Sequence, residues 1–501
     1  MLFQVILVIG LISCGPSKEE KQVELYASHC ASCHRAPEIE QLPKVLWQNT
    51  VLPEMAARMG IAEPGFDPFE GLTFPEQEAI IKGGVYSVPT QISASDWALL
   101  KEYILKTAPD SLPVTESDIN SEKLVQFQSK PIAIDKAQRS MITYLSHDSI
   151  TENLIIGDAS GRLLNYSLHN DTLISKGRFG SALVDYSAKD GIEFITTVGF
   201  IDPSAISTGK IIFRDSVGIK VFPENLHRPV HTLVNDLNDD GTDELVVSEY
   251  GDLVGSLSML IKNKDGSYEK KVLLNQPGVI RVIADDLDKN GKKDLIVLTA
   301  QGDETITVLY QESDLVFSPI KVLRFSPVFG TSWFELVDFD GDGDKDIVTV
   351  HGDNADDTYV QKPYHGMRIH INNGENSFEE HYFFPLNGAT RLIAKDFDND
   401  KDVDFALLST FPDYEKNPES SFVYLENRDS ENFDFKPFTF EDSRLGKWFV
   451  MDSGDIDGDG DEDIVLGAFS KVFAPTPSAL IDLWQTNNVD IMLLENKLKS
   501  H

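Results

Sequence analysis

The sequence predicts a multidomain protein in which a small all-α domain precedes a large all-β domain. A chain of 501 residues is too long for one ordinary hydrophobic core, so more than one domain is expected. Residues 22–108 carry apolar side chains at helical spacing. Beyond residue 123, short β-rich runs follow one another, and one acidic motif recurs between them.

The charge balance restricts the class of partner. Asp and Glu together number 81 against 44 Lys and Arg, which gives a net charge of −37. Because a nucleic-acid partner needs a basic face to neutralise its phosphates, nucleic acid is excluded as the expected partner. The acidity is interpreted either as a solvated surface or as a set of oxygen ligands for cations. The recurring acidic motif favours cations for part of it.

The first thirteen residues, MLFQVILVIGLIS, are almost wholly apolar and too short to span a bilayer. They predict a signal peptide (1–13), although no Lys or Arg stands near the start. The adjoining LISC resembles the lipobox of bacterial lipoproteins, which implies lipid on Cys14; an incidental cysteine after an ordinary signal is the alternative. Residues 14–21 are then a tether. Its SKEE resembles a surface-export tag, and a solvated spacer is the alternative.

The other two cysteines of the chain stand in the stretch CASCH, Cys30 to His34. Cys-x-x-Cys-His is the attachment signature of c-type haem. Residues i and i+3 share a helix face, so Cys30 and Cys33 reach one porphyrin edge, and His34 becomes an axial iron ligand. A thioredoxin-like motif would need a βαβ context, and a structural zinc site would need two more ligands.

Three helices are predicted around this motif. One runs into it through Val23, Leu25 and Tyr26, a second runs from Pro43 towards Gly60 with a break at Pro53, and a third starts after Ser93 and ends before Pro109. Methionine is the usual sixth ligand of an electron-transfer haem c. Met55 and Met59 are the candidates, and Met55 is favoured; either is otherwise a core methionine.

After a polar linker (109–123), five copies of an acidic motif start 50, 52, 58 and 59 residues apart. Two degenerate copies precede them, one placed at Asp185 and one near Leu145. Each strong copy has oxygen ligands at positions 1, 3, 5 and 9, usually with Gly at position 6, as in an EF-hand loop, but it is followed by a strand. We therefore predict five Ca²⁺-binding hairpin tips. Their ligands are Asp236, Asn238, Asp240, Glu244, Asp286, Asp288, Asn290, Asp294, Asp338, Asp340, Asp342, Asp346, Asp396, Asp398, Asp400, Asp404, Asp455, Asp457, Asp459 and Asp463.

The motifs resemble FG-GAP/VCBS repeats, the units of integrin-α-type β-propellers. From residue 14 onward the chain resembles exported bacterial lipoproteins that join a cytochrome c domain to such a propeller. The resemblance implies a small all-α cytochrome c domain (22–108) followed by an all-β seven-bladed propeller (124–501). It also implies a protein anchored in the outer membrane by lipid on Cys14, on the periplasmic or cell-surface side. It does not indicate a substrate.

Two sets of residues are candidates for binding a ligand. If the acidic hairpins mark one face, the long loops after the second strands of the last three units lie at the other face. The first of these loops supplies Asp353, Asn354, Asp356, Tyr364 and His365; decoration without function is the alternative. The second set stands five residues before the first Asp of successive units, at the predicted entrance to a central channel. It comprises His231, Arg281, Trp333 and Arg391, with Lys447 and Trp448 near the equivalent place in the last unit.

The channel set is hypothesised to receive an anionic or sugar-like ligand, or to dock the haem domain. The alternative is that each arginine pairs with a neighbouring carboxylate. The leading functional prediction is a haem c electron-transfer lipoprotein with a redox partner protein, in which the propeller binds a partner or ligand. One alternative is a propeller oxidoreductase that transfers electrons from a carbohydrate-like substrate to the haem. The other is a surface binding or adhesion module. No residue is singled out as catalytic.

Overall fold

In the computed structural model, residues 16–113, 122–135, 139–354, 359–472 and 474–498 are described. The predicted signal peptide and Cys14 lie outside these residues. By its internal contacts the chain divides into a first unit, Met1–Pro68 with Ser87–Ser111, and a second unit, Phe69–Tyr86 with Leu112–His501. Residues 69–86, which fall within the predicted helical domain, are thus grouped with the second unit.

The helices up to residue 107 follow one another at short intervals. They are α1 (Lys18–Leu25), a π-helix (Tyr26–Cys30), a 3₁₀ turn (Ile39–Gln41), α2 (Lys44–Leu46), a π-helix (Trp47–Val51), α3 (Leu52–Arg58), α4 (Phe74–Lys82) and α5 (Ala94–Thr107). All but α4 belong to the first unit. In the described parts of the chain, we find no helix with the length and apolar character needed to cross a membrane.

Local chemistry explains the bounds of the helices in the first unit. Ser17 caps α1 in a capping box with Glu20, and Ser93 accepts the first-turn N–H of Asp96 at the start of α5. The predicted second helix is continuous from residue 44 to 58. Its π segment ends at Val51, two residues before Pro53, which has no N–H to continue the α-helical pattern.

The first unit has its own small core. Trp47, Ala56, Leu100 and Ile104 are buried there. The π-helix after α1 reaches α5 through an edge contact of the Tyr26 and Tyr103 rings, whose centroids are 6.2 Å apart. The helix that leads into the cysteine motif is therefore fixed by packing.

The strands of the second unit form seven sheets, which are the blades of the predicted seven-bladed β-propeller. Each blade has four antiparallel strands, and the sheet of blade six has a fifth, parallel strand at its outer edge. Two strands precede the first complete blade: β1 (Glu122–Lys123), which pairs in parallel with the outer strand of blade six, and β2 (Phe127–Ile132). Blades one to three are formed by β3 (Ile142–Asp148), β4 (Asn153–Asp158), β5 (Arg162–Ser167), β6 (Thr172–Arg178); β7 (Leu183–Lys189), β8 (Ile192–Thr197), β9 (Lys210–Arg214), β10 (Ile219–Val221); and β11 (Pro229–Asn235), β12 (Glu244–Glu249), β13 (Ser256–Lys262), β14 (Tyr268–Leu274).

Blades four to seven continue the same order from the inner strand outward. They are formed by β15 (Val279–Asp285), β16 (Asp294–Thr299), β17 (Thr305–Ser313), β18 (Val316–Arg324); β19 (Thr331–Val337), β20 (Asp346–His351), β21 (Gly366–Asn372), β22 (Phe378–Pro385); β23 (Ala389–Lys395), β24 (Asp404–Ser409), β25 (Phe422–Asp429), β26 (Asp434–Thr439); and β27 (Trp448–Gly454), β28 (Asp463–Ala468), β29 (Ile491–Asn496).

The last blade has only three strands from its own repeat. Its outer strand is β2, which pairs antiparallel with β29 from Phe127 opposite Asn496 to Ile132 opposite Ile491. The start of the β unit therefore completes the blade built by its end, and the ring closes without an open joint between first and last blades.

The hydrophobic core lies between neighbouring blades. The second strand of each of blades three to seven is buried at every residue. One cluster joins Val246 of blade three to Val282 and Val297 of blade four. Because every blade buries a face on the next one, the ring fixes the inner strands around a central axis.

Two helices of the second unit were missed by the sequence prediction. In α4, Thr73 and Glu76 form a capping box and Pro75 stands in the first turn, a start signal that the sequence contains. The second is α6 (Ser478–Asn487), which lies in the long loop between β28 and β29 and buries Leu480 and Trp484.

Candidate functional site

The cysteine motif stands at a helix end. Cys30 is the last residue of the π-helix and is partly buried, whereas Cys33 is exposed. Burial raises the pKa of the Cys30 thiol to about 12. The His34 Nδ1 atom lies 2.9 Å from the carbonyl oxygen of Arg35. When Nδ1 donates to that oxygen, Nε2 keeps its lone pair, which is the tautomer an iron-ligating histidine needs.

The two candidate methionines are both half-buried at the end of the continuous helix: Met55 lies in α3, and Met59 caps its C-terminus. The Met59 carbonyl accepts the N–H of Gln91 at 3.0 Å, which fixes this end of the helix. A cavity of about 280 Å³ lies nearby, lined among others by Ala57, Gly60 and Phe66. Cys30, Cys33 and His34 are not among its lining residues.

The acidic loops of blades four to seven bring their ligand atoms together. In each loop the carboxylates at positions 1, 3 and 9 have oxygens within 4.8 Å of one another. These groups are Asp286, Asp288 and Asp294; Asp338, Asp340 and Asp346; Asp396, Asp398 and Asp404; and Asp455, Asp457 and Asp463. Each loop joins the first and second strands of its blade, as predicted.

The blade-three loop is different. It has Asn238 at position 3, so Asp236, Asp240 and Glu244 do not form such a three-carboxylate group within the described chain. The Asn238 Nδ2 atom donates instead to Asp314 Oδ1 at 2.8 Å.

A shared backbone shape explains how the ligands converge. The residues at positions 4 and 6 have positive φ in all five loops. They are Asp239, Gly241, Lys289, Gly291, Gly341, Gly343, Asn399, Lys401, Gly458 and Gly460. Lys401 stands at position 6 of the blade-six loop, where the motif usually has glycine, and its φ of 86° matches that of its counterparts. The blade-six loop thus keeps the common turn at a steric cost.

In blades four to seven, the acid at position 9 of the acidic loop fastens that loop to its own blade. Asp404, for example, accepts the N–H of Phe397 at 3.1 Å and the N–H of Asn427, in the third strand, at 2.8 Å. Burial raises the pKa of Asp404 to about 7 and that of Asp463 to about 6, and nearby carboxylates add to the effect. The negative charge of these buried carboxylates is therefore unfavourable, and it can be neutralised by binding either a proton or a cation.

Third-strand amides extend this fastening to the neighbouring blade, a role the sequence analysis did not assign. The Gln311 Nε2 atom in blade four donates to the Leu237 carbonyl of blade three at 2.9 Å. Asn496 in blade seven likewise donates to the Phe397 carbonyl of blade six at 2.8 Å. The signal was present, because an Asn or Gln recurs at this place in blades four to seven, at Gln311, Asn372, Asn427 and Asn496.

The first strands of all seven blades line a central cavity of about 370 Å³. Each first strand has a β-bulge after its first residue, at the end opposite the acidic loop. The residue after the bulge lines the cavity in every blade. These seven residues, here called the channel ring, are Tyr144, Asp185, His231, Arg281, Trp333, Arg391 and Val450.

The four channel residues named from the sequence thus lie around one cavity, and the other three were missed. Lys447 and Trp448 are not part of the ring, because the last unit places Val450 there and buries both of them. The prediction that a degenerate loop starts at Asp185 is also wrong, because Asp185 lies inside β7 and the hairpin turn follows at Asp190 and Gly191. Without its acids, that copy was set out of register.

The two ring arginines share one aromatic partner. The guanidinium carbon of Arg281 lies 4.0 Å from the centroid of the Trp333 ring, and that of Arg391 lies 4.4 Å from it. Arg281 pairs with Glu335 at 3.0 Å, as the pairing alternative expected. Among the described residues Arg391 has no such pair, and its hydrogen bond goes to the carbonyl of Thr390 at 2.9 Å.

The second candidate set lies in the loop between β20 and β21. Asn354 and His365 are about 1% exposed, which removes them from direct contact with solvent. Tyr364 stacks on Phe329 with ring centroids 5.2 Å apart. The Asp353 N–H donates to the Gly330 carbonyl at 2.9 Å. Asp356 lies outside the described residues. None of the described members lines the central cavity.

A buried polar network adjoins this loop. His351 bonds Thr331 through Nδ1 and Thr349 through Nε2, both at 2.8 Å. Thr331 also donates to Glu304, which is 2% exposed. Burial raises the pKa of Glu304 to about 7. These contacts are those of an interior hydrogen-bonded network between blades four and five, since every named group has a partner within it.

A comparison with known protein families supports part of this architecture. A family profile described as FG-GAP-like repeat matches residues 286–349, which include the acidic loops of blades four and five. The fold and this repeat define the second unit as a seven-bladed β-propeller with FG-GAP-like repeats. No curated protein sequence matches the chain.

Three solved structures show a low overall similarity. The N-terminal domain of Nup159 aligns at 12% identity and a TM-score of 0.43, over 75% of this chain and 97% of that one. A S. cerevisiae Dbp5 complex with Nup159, Gle1, IP6 and ADP aligns at 11% identity and a TM-score of 0.40, over 74% of this chain and 96% of that one. The Neurospora crassa Pan2 WD40 domain aligns at 10% identity and a TM-score of 0.44, over 74% of this chain and 96% of that one. At these scores they identify neither a family nor a function for this chain.

Proposed function

We propose that this protein is an exported electron-transfer lipoprotein whose first unit carries haem c and whose propeller binds Ca²⁺ and a partner or ligand. The observation that carries the proposal is the Cys30-x-x-Cys33-His34 motif at a helix end, with the His34 Nδ1 atom beside a backbone carbonyl. The donor set fits the group, since it offers two thiols three residues apart and an imidazole with Nε2 open.

When bound, haem c supplies reversible one-electron transfer. Cys30 and Cys33 would hold it covalently, and His34 would be its first axial ligand. Met55 is the proposed sixth ligand and Met59 the alternative, since both stand at the same end of α3. The bond from His34 Nδ1 to Arg35 orients the imidazole and raises its basicity.

Calcium binding is the second part of the proposal. Four loops gather three carboxylates each, and in each loop burial disfavours the negative charge of the position-9 acid. A divalent cation in each loop would remove that penalty, and a flexible cage of protein oxygens suits Ca²⁺ better than Mg²⁺. We include the blade-three loop as a fifth, weaker site, because Asp236, Asp240 and Glu244 remain there with Asn238.

Lipid on Cys14 would anchor the protein in the outer membrane, where it would meet a redox partner protein. Labelling with a radioactive fatty acid tests the anchor. We expect label in the native protein and none in Cys14→Ala, which should also leave the membrane fraction. Equal labelling of both proteins would contradict the anchor alone, without affecting the haem.

The haem proposal is tested by expressing the full chain in a host that matures c-type cytochromes. We expect covalent haem on a denaturing gel and a low-spin reduced spectrum. Cys33→Ala should lose the covalent attachment, whereas Met55→Ala should keep it and lose the far-red band of methionine ligation. Ser28→Ala, an exposed change two residues before Cys30, serves as the matched control. A native protein that leaves this host without haem would overturn the proposal.

A further inference from the structure

The central cavity of the propeller is built like a binding site. Its volume of about 370 Å³ falls in the range of small-molecule pockets, and all seven first strands contribute to its wall. Because each first strand is hydrogen-bonded to the second strand of its own blade and the blades pack into a closed ring, the wall residues are held in place before any ligand arrives.

The charges that line the cavity are not equally compensated. The Asp185 carboxylate accepts the backbone N–H of Thr232 at 2.6 Å, and that of Asp452 accepts the N–H of His147 at 2.7 Å. Both therefore join one inner strand to the next. Lys395 pairs with Glu462 at 2.8 Å. The negative groups and the lysine are thus already engaged.

The two arginines keep hydrogen-bonding capacity. Glu335 accepts from both Arg281, at 3.0 Å, and the indole N–H of Trp333, at 2.9 Å. The Nε atom of Arg281 is buried and has no acceptor among the described residues. Arg391 donates to one backbone carbonyl and faces no carboxylate at ion-pair distance in the described chain. A partly buried guanidinium of this kind favours an anionic acceptor, which it can bind through two parallel N–H groups.

His231 adds a neutral donor to the same wall. The Val282 N–H lies 3.4 Å from its Nδ1 atom, so Nδ1 accepts and the proton stands on Nε2. Burial lowers the pKa of His231 to about 3, since the charged imidazolium is disfavoured there and beside Arg281. It therefore offers a hydrogen bond without adding a charge.

We propose that this cavity is a binding site for a small organic monocarboxylate, held by Arg391 and Arg281 beside Trp333. The inference rests on the ligand-binding role proposed for the propeller and names the chemistry of its ligand. A single negative charge fits best because, of the three cationic side chains that line the cavity, only Arg391 has no ion pair among the described residues, while Asp185 and Asp452 each accept a backbone N–H. A doubly charged phosphate would leave one charge uncompensated in a partly desolvated site.

The test measures thermal stabilisation and calorimetric binding with the full-length, Ca²⁺-loaded protein. The probes are monocarboxylates that range in size from acetate to D-glucuronate, with D-glucose as a neutral analogue and inorganic phosphate as a dianion. We expect at least one monocarboxylate to bind, and neither glucose nor phosphate to do so. Arg391→Gln should weaken that binding about tenfold or more, because a charge-assisted hydrogen bond is lost.

Arg428→Gln is the matched control, because it removes the same charge from an exposed position of blade six. Arg391→Lys keeps the charge but not the fork, so it should fall between wild type and Arg391→Gln. The melting temperature without ligand confirms that each variant folds. Equal binding by wild type and a folded Arg391→Gln, binding of phosphate in preference to carboxylates, or no binding by any monocarboxylate would overturn the inference.

The outcome is separable from that of the haem proposal. Binding is measured in parallel with Cys33→Ala, which changes the first unit alone. Carboxylate binding that persists in this variant supports the cavity independently of haem. Covalent haem in a protein that binds no carboxylate would leave the electron-transfer proposal standing and remove this one.

Discussion

Asp463 Oδ1 accepts the backbone N–H of Asn496 at 2.8 Å, which joins the acidic loop of blade seven to the third strand of the same blade. Its other oxygen accepts the N–H of Ile456, also inside the loop, at 2.9 Å. The carboxylate is fully buried. One side chain thus has two roles that can be separated, as an acceptor for the fold and as a ligand for an ion.

Replacing Asp463 with Ala should destabilise the protein even without calcium. Two buried N–H groups would lose their acceptor, at a cost of about 2–4 kcal/mol in the free energy of unfolding. Asp457→Ala is the control, because Asp457 is exposed and contributes to the same ion cluster. Urea unfolding in EGTA should separate the two variants, while both should lose calcium affinity. Equal stability of the two in EGTA would show that Asp463 acts through the ion alone.

Calcium should stabilise the propeller, because each ion would bind a position-9 acid whose negative charge is disfavoured by burial. A site at a hundredfold excess of Ca²⁺ over its dissociation constant contributes about 2.7 kcal/mol. The melting temperature in Ca²⁺ should be many degrees higher than in EGTA, and Mg²⁺ should raise it by less.

The metal content of loop variants assigns the ions. Asp338→Asn, at position 1, should remove one Ca²⁺ per chain, as measured by atomic emission after dialysis. Asp344→Asn should retain it, because this partly buried acid of the same loop pairs with Lys289 and is not in the cluster. Unchanged calcium content in Asp338→Asn would contradict the assignment of that loop.

Lys401→Gly should stabilise the protein. Lys401 has a φ of 86°, which a side chain disfavours by about 1–2 kcal/mol, whereas glycine adopts it without strain. After the entropy lost on folding glycine, a net gain of up to about 1 kcal/mol is expected. Lys345→Gly, at an exposed position of the blade-five loop without positive φ, should instead destabilise. Chemical denaturation at fixed calcium measures both, and a loss in both variants would contradict the strain.

Glu304 should make stability depend on pH. Its pKa is about 7 in the folded protein against 4.5 normally, because burial disfavours the carboxylate. The fold therefore favours the protonated form, and this contribution is complete below pH 4.5 and lost as the pH rises through 7. Relative to Glu304→Gln, the wild type should lose up to about 3 kcal/mol over that window.

The measurement is denaturant unfolding from pH 4.5 to 8 in saturating Ca²⁺, so that the acidic loops do not dominate the change. Glu379→Gln, an exposed substitution on blade five, should follow the wild type. Parallel curves for wild type and Glu304→Gln would mean that Glu304 does not titrate in this range.

Periodic features of this protein could be predicted from its sequence. The five acidic loops, the seven units and the inner position of Arg281 all follow from counting residues within a repeat. Asp185 was set out of register because its unit lacks the acids that mark the count. The helices α4 and α6 interrupt the β pattern and were missed, although Thr73 and Glu76 carried a start signal.

Contacts between distant residues could not be predicted in the same way. The pairing of Arg281 with Glu335, and the absence of such a partner for Arg391 among the described residues, depend on side chains from neighbouring blades. Burial is equally non-local. His365 reads as a polar loop residue in the sequence and is almost inaccessible in the fold.

The pairing of β2 with β29 fixes when the propeller can close during synthesis. Phe127 leaves the ribosome long before Asn496 is made. Until then, β2 has no partner strand and its edge is unpaired. An exposed strand edge is prone to pair with other chains, and such waiting favours aggregation. The ring can close only after β29 (Ile491–Asn496) has been synthesised and has paired with β2, and the exposure of this strand edge ends at that point. A ribosome that stalls before Ile491 would leave a complete set of inner strands and an unclosed circle.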